Sequence, residues 1–153
     1  MKQSAEDQLA GFIAKFTPVI EARTYAILAA MRKRLPGALQ LVYDNYNALA
    51  IGFGPTEKAS DAIFSIAVFP RWVSLFFLQD GSRLKDPDQI LKGKGNVVRH
   101  IVLEEAGALN DPRIKALMSQ ALELAEVPMP KGGGCLVIKS VSAKQRPRRP
   151  VEK

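Results

Sequence analysis

Two strongly apolar runs, Ile63–Phe69 and Trp72–Leu78, stand only two residues apart, and no other feature constrains the fold of this chain as much. Both are rich in β-branched and aromatic residues, which favours strands over helices at this length. Pro70-Arg71 is too short a link to connect parallel strands, so the pair predicts an antiparallel hairpin. Each run is apolar at nearly every position. That predicts central strands, covered on both faces or on one face plus a partner.

Other segments supply neighbours for the hairpin. Leu39–Tyr43 and Ala48–Phe53 precede it, and Val97–Leu103 and Cys135–Val141 follow, each short and bounded by turn formers. Helical periods occupy the rest. Ser4-x-x-Asp7 reads as a cap ahead of Leu9, Phe12, Ile13 and Phe16. Thr17-Pro18 restarts the pattern with Ile20, Ile27, Leu28, Met31 and Leu35, and Arg32, Lys33 and Arg34 suit the negative end of that helix. Asp111-Pro112 opens a third helix, with Ile114, Leu117, Met118, Ala121 and Ala125 on one face. The expected class is α+β: a compact two-layer domain whose mainly antiparallel sheet of about five to six strands carries packed helices.

At 153 residues, 47% apolar and 24% charged, the chain is of ordinary globular composition for one domain. One cysteine excludes an intramolecular disulfide and points to a reducing compartment. The opening MKQSAEDQLAG lacks a signal-peptide core, and no apolar run is long enough for a membrane helix, so a cytoplasmic location without membrane contact is expected. The net charge is +7, of which residues 141–153 supply +4. The body is nearly balanced, which argues against a whole surface built for nucleic acid. The expected division is a domain over 1–142 and an extended, basic, solvated tail over 143–153.

The densest local pattern begins with Trp72-Val73-Ser74-Leu75-Phe76-Phe77-Leu78. It continues through Gly81, Leu84, Asp86-Pro87, Ile90-Leu91, Gly93, Gly95 and Val98-Arg99-His100-Ile101. This succession resembles the YdhG-like family of uncharacterised bacterial domains, and weaker similarity extends over most of the chain. The resemblance implies a frataxin-like fold, a compact sheet with helices packed on it. It also supplies one functional lead, an intracellular iron-binding chaperone, and hence iron as the only cofactor to consider. Iron held by hard ligands needs clustered carboxylates, and the first two helices offer only Glu6, Asp7 and Glu21.

Read by its chemistry alone, the block is a specified loop. Asp86-Pro87-Asp88-Gln89 predicts the start of a helix of one or two turns, with Gly93 ending it in a left-handed conformation. A functional reading stands beside it: Lys92-Gly93-Lys94-Gly95 is a candidate anion nest, with Arg99 and Arg71 converging on it if their strands pair. It lacks Walker-loop spacing.

Trp72, Asp86 and His100 are candidate pocket residues, as are Tyr43 and Tyr46, although aromatics beside apolar strands are usually core or core edge. His100 is the sole histidine and is expected at a core edge, hydrogen-bonded. Cys135 is expected to be buried and inert; as a nucleophile it would need His100 within reach. No metal-ligand spacing and no catalytic constellation is present. In the tail, Lys144, Arg146, Arg148 and Arg149 could contact phosphates or an acidic surface, without interleaved aromatics for base stacking.

The readings in order are a non-enzymatic binding or accessory module for a small anionic ligand or a protein partner, the iron chaperone implied by resemblance, a weak nucleic-acid binder acting through the tail, and an enzyme using His100 or Cys135.

Overall fold

The computed structural model describes residues 3–150. Residues 151–153, the end of the predicted tail, lie outside them. The fold is α+β, with three helices packed against a six-stranded open sheet.

The helices begin where local hydrogen bonding dictates. Helix α1 (Ala5–Ile13) is capped by Ser4, whose Oγ accepts from the Asp7 amide at 3.1 Å. Helix α2 (Pro18–Arg34) follows Thr17, whose hydroxyl accepts from Ile20 N–H, and Pro18 takes the first turn, where no intrahelical donor is needed. Helix α3 (Pro112–Leu124) repeats the device with Asp111, which accepts from Arg113 N–H at 2.9 Å. Phe16, expected on the first helix, lies in the α1–α2 turn and is still fully buried.

Strands β1 (Leu39–Asp44), β2 (Leu49–Gly54), β3 (Phe64–Val68), β4 (Val73–Phe77) and β5 (Arg99–Leu103) pair antiparallel in succession. The expected 63–78 hairpin is β3–β4. Strand β6 (Leu136–Val141) returns to the far side of β1 and pairs parallel to it, giving the order β5-β4-β3-β2-β1-β6.

Alternation decides which face is covered. Val42, Ile51, Ile66 and Leu75 lie opposite one another, as do Phe53, Phe64 and Phe77. These side chains join Leu9, Ile13, Ile27, Met31, Leu117 and Met118 from the helices in one hydrophobic core. Each such buried side chain contributes about 1.5–3 kcal/mol. On the opposite face Gly52, Ser65, Ala67 and Ser74 are small and close to the backbone, whereas Leu41 and Phe76 beside them are large. There the 55–62 connection folds back: Ala62 approaches Gly54 so closely that a Cβ on Gly54 would lie 2.8 Å from its Cα. Helices thus cover one face of the central strands, and on the other face the 55–62 connection lies over β2.

Among the described residues no helix is long and apolar enough to cross a membrane.

Candidate functional site

The end of β1 carries a charge where an apolar side chain would be expected. Asp44 is completely buried between the neighbouring strands β2 and β6, and its carboxylate is shared between two cations. Lys15 Nζ reaches Oδ2 at 2.8 Å from the α1–α2 turn. The Arg148 guanidinium reaches Oδ1 at 2.8 Å from the C-terminal segment, and it also donates to the carbonyls of Asn45 and Tyr46. Its planar fork suits several acceptors at once, which a lysine could not satisfy. Phe16 lies beneath it, 5.8 Å from the ring centre.

The expectation of a solvated tail over 143–153 is therefore corrected in part: most side chains of residues 143–150 are exposed, but the segment is tied to the body. Arg148 is only 5% exposed, so it cannot serve a phosphate or an external acidic surface. The neighbouring backbone is held as well: Ser142 N–H donates to Asp44 O and Arg146 N–H to Tyr46 O, both at 2.8 Å. Gln145 adds a hydrogen bond to the Asp44 carbonyl, and Arg149 Nε donates to Lys15 O. A basic, proline-bearing segment packs here because a buried carboxylate needs compensation, and Lys15, still 42% exposed, supplies it from one side only.

Burial alone would push the Asp44 carboxyl up. Hydrogen bonds from Lys15, Gln145 and Arg148 outweigh that and hold it below the ordinary aspartate value. Detaching the tail returns Asp44 toward that value, so the detached state binds a proton at higher pH than the docked one. Docking is fully supported above about pH 4 and weakens as pH falls through the lowered pKa. Fluorescence of Trp72, beside the tail, is expected to show this acid transition in the native chain and to lose it in Asp44→Asn.

Docking of the tail creates an open cleft of about 650 Å³ between the β1–β2 turn, the β3–β4 turn and residues 146–150. Arg71, Arg146 and Arg149 line it, with no acidic side chain among the other described lining residues. Its floor is apolar: Phe69 and Trp72 stack at 4.8 Å and 22°, flanked by Pro70, Pro147 and Pro150. Trp72 remains 40% exposed. Asn47 supplies the one side-chain amide. Arg146 also lies over the Tyr46 ring, 5.7 Å from its centre, which limits the arc its guanidinium explores.

Of the other sequence-derived candidates, Lys92, Gly93, Gly95, Arg99 and His100 are neighbours, whereas Arg71 lies apart. Around Lys92-Gly93-Lys94-Gly95 the chain closes on itself. The Lys92 N–H and carbonyl both pair with His100, and the Arg99 guanidinium donates to the carbonyls of Gly95 and Val98. Arg99 thus braces the loop instead of pointing with its lysines at a common anion. Arg71 does not join it. Arg71 precedes Val73, while Arg99 lies opposite Phe77, about 13 Å along β4 at strand rise.

The helix expected from Asp86 is absent. The Asp86 carboxylate accepts from the Ile90 and Leu91 amides, and Gln89 takes a positive φ of 54°, which ends any helical turn. Gly93, expected in the left-handed region, does take a positive φ of 118°. Gln120 of α3 clamps this loop through both the N–H and the carbonyl of Lys85.

His100 is half-buried and stacks on Phe76 at 5.0 Å, on the sheet face away from the helices. Cys135, expected to be buried, is exposed just before β6. These two residues belong to opposite edges of the sheet, about 24 Å apart at normal strand spacing, so they form no nucleophile–base pair. Among the described residues no three His, Cys, Asp or Glu side chains gather as a metal site. Tyr43 is half-buried, and its hydroxyl has no partner among the described residues.

The residues missed by sequence reasoning are Asp44, Lys15 and Asn47, and the grouping of Arg71 with the tail. A lone aspartate closing the apolar run Leu39–Tyr43 was the available signal for Asp44. Among known proteins, the chain matches no family model, no curated protein and no solved structure.

Proposed function

We propose that this chain is a non-enzymatic binding module that takes a small, multiply charged anion in the cleft beside Trp72. The observation that carries the reading is the convergence of Arg71, Arg146 and Arg149 on one cleft whose described lining residues include no acidic side chain. Two of these arginines come from a segment fixed in place by Arg148 and Asp44. A preorganised positive site loses less entropy on binding than a free tail would. Among the described residues the lining also holds no histidine, cysteine, hydroxyl or carboxylate side chain, so these offer an anion contacts but no nucleophile or general base.

The same reading keeps the YdhG-like, frataxin-like resemblance as its fold assignment, supported by a sheet with all three helices sharing one core. Under it, Gly81 and Asp86 are loop-forming residues. A Cβ on Gly81 would lie 2.8 Å from the Val97 carbonyl, and Asp86 is occupied by backbone amides. The iron-chaperone reading finds no donor cluster among the described residues to carry it. Binding nucleic acid through a loose tail is disfavoured by the burial of Arg148.

The test is calorimetric titration with inorganic pyrophosphate at constant ionic strength. Arg71→Ala, Arg146→Ala and Arg149→Ala are each expected to weaken binding about fivefold, since each removes a charge-assisted contact partly screened by solvent. Lys92→Ala and Lys94→Ala are expected to change nothing. Equal affinity in the triple arginine variant would remove the cleft from consideration.

A further inference from the structure

An inorganic anion would use only the arginines of this cleft and leave its floor idle. The floor is an extended π surface, in which Phe69 stacks on Trp72 at 4.8 Å while Trp72 remains 40% exposed. Large aromatic side chains at a tight turn are normally turned inward; here the β3–β4 connection holds the stacked pair against Pro70 at the cleft's edge. Exposed aromatic faces stack planar rings with little regard to their identity, whereas guanidinium forks bind phosphate oxygens in pairs. The Asn47 amide beside them can both donate and accept, as the edge of a nucleobase requires.

We infer that the ligand class is a nucleotide, its base against the outward side of Trp72 and its phosphates among Arg71, Arg146 and Arg149. This rests on the anion-binding reading above and adds the aromatic half of the ligand to it. A single nucleotide suits the geometry better than a strand. The positive groups surround one cleft of about 650 Å³, within the range of small-molecule sites, and do not trace a groove. Arg148, which would have lengthened the basic track, is turned inward to Asp44.

Trp72 is the only tryptophan, so its fluorescence reports on the cleft directly. The full chain is titrated at fixed ionic strength with ADP, inorganic pyrophosphate, adenosine and a single-stranded oligonucleotide, and affinities are also measured by calorimetry. ADP is expected to quench Trp72 and to bind about tenfold more tightly than pyrophosphate, the gain that stacking of one base provides. In Trp72→Ala the preference is expected to vanish, ADP and pyrophosphate binding that variant equally, and Trp72→Tyr is expected to retain it. Equal binding of ADP and pyrophosphate by the native chain would overturn the nucleotide assignment and leave the anion site standing. Failure of both to bind would overturn both. An oligonucleotide far tighter than ADP would overturn the mononucleotide in favour of a strand.

Discussion

Arg148→Ala is expected to destabilise the protein by about 3 kcal/mol, near the lower end for breaking a buried ion pair. The loss has two sources. Asp44, with no exposed surface, keeps only Lys15 as a compensating charge. The carbonyls of Asn45 and Tyr46 lose the donors that the guanidinium supplied. The cost stays near the lower end because the freed segment can move away and admit water to Asp44, which limits the desolvation penalty. Arg148→Lys restores the charge without the fork and is expected to fall between the two. Denaturant unfolding curves for the three proteins check this order. A neutral effect of Arg148→Ala would mean that the segment contributes nothing to the folded state.

Gly37→Ala is expected to cost about 3 kcal/mol or more, because the obstruction is backbone. A Cβ at Gly37 would lie 1.8 Å from the Pro130 carbonyl oxygen and 2.8 Å from the Gly132 nitrogen. Neither can swing aside like a side chain. The segment 130–134 carries the connection from α3 to β6, and a Cβ on Gly134 would likewise clash with the Ala38 carbonyl from its own side. Displacing this crossing moves the start of β6, and with it the segment that leads to Arg146 and Arg148. Gly37→Ala should therefore lower thermal stability and weaken pyrophosphate binding together, although Gly37 does not line the cleft. Loss of binding with unchanged stability would contradict that route.

Much of the fold was legible because its signals are local. Ser4, Thr17-Pro18 and Asp111-Pro112 open helices through hydrogen bonds spanning two or three residues, and such chemistry reads directly from sequence. The β3–β4 hairpin was legible because two residues between apolar runs leave one way to connect them. Asp86-Pro87 misled for the same reason that the caps succeeded. The residue types match a helix start, but no apolar stripe follows them, and a positive φ at Gln89 turns the chain. That β6 runs parallel to β1 follows from the path of α3 and the 130–134 crossing, which local periodicity does not encode.

The site was less legible because its members are far apart in sequence. Arg148 lies 104 residues from Asp44 and 134 residues separate Arg149 from Lys15, so charge and proline content alone described the tail as solvated. Trp72 was singled out for its type, and Arg71 was assigned to the wrong partners, since strand pairing sends it to the end of β4 away from Arg99. The glycine-rich 92–95 run drew attention as a nest. The Lys92 backbone is instead tied to His100 and the Gly95 carbonyl to Arg99.

The docked C-terminal segment is the premise of the cleft, and backbone amide hydrogen exchange of the native chain at neutral pH tests it most directly. The amides of Ser142 and Arg146, bonded to Asp44 O and Tyr46 O at 2.8 Å, are expected to exchange much more slowly than in an unstructured peptide of the same sequence. Exchange of both at the free-peptide rate would contradict docking, and with it the cleft that Arg146 and Arg149 complete.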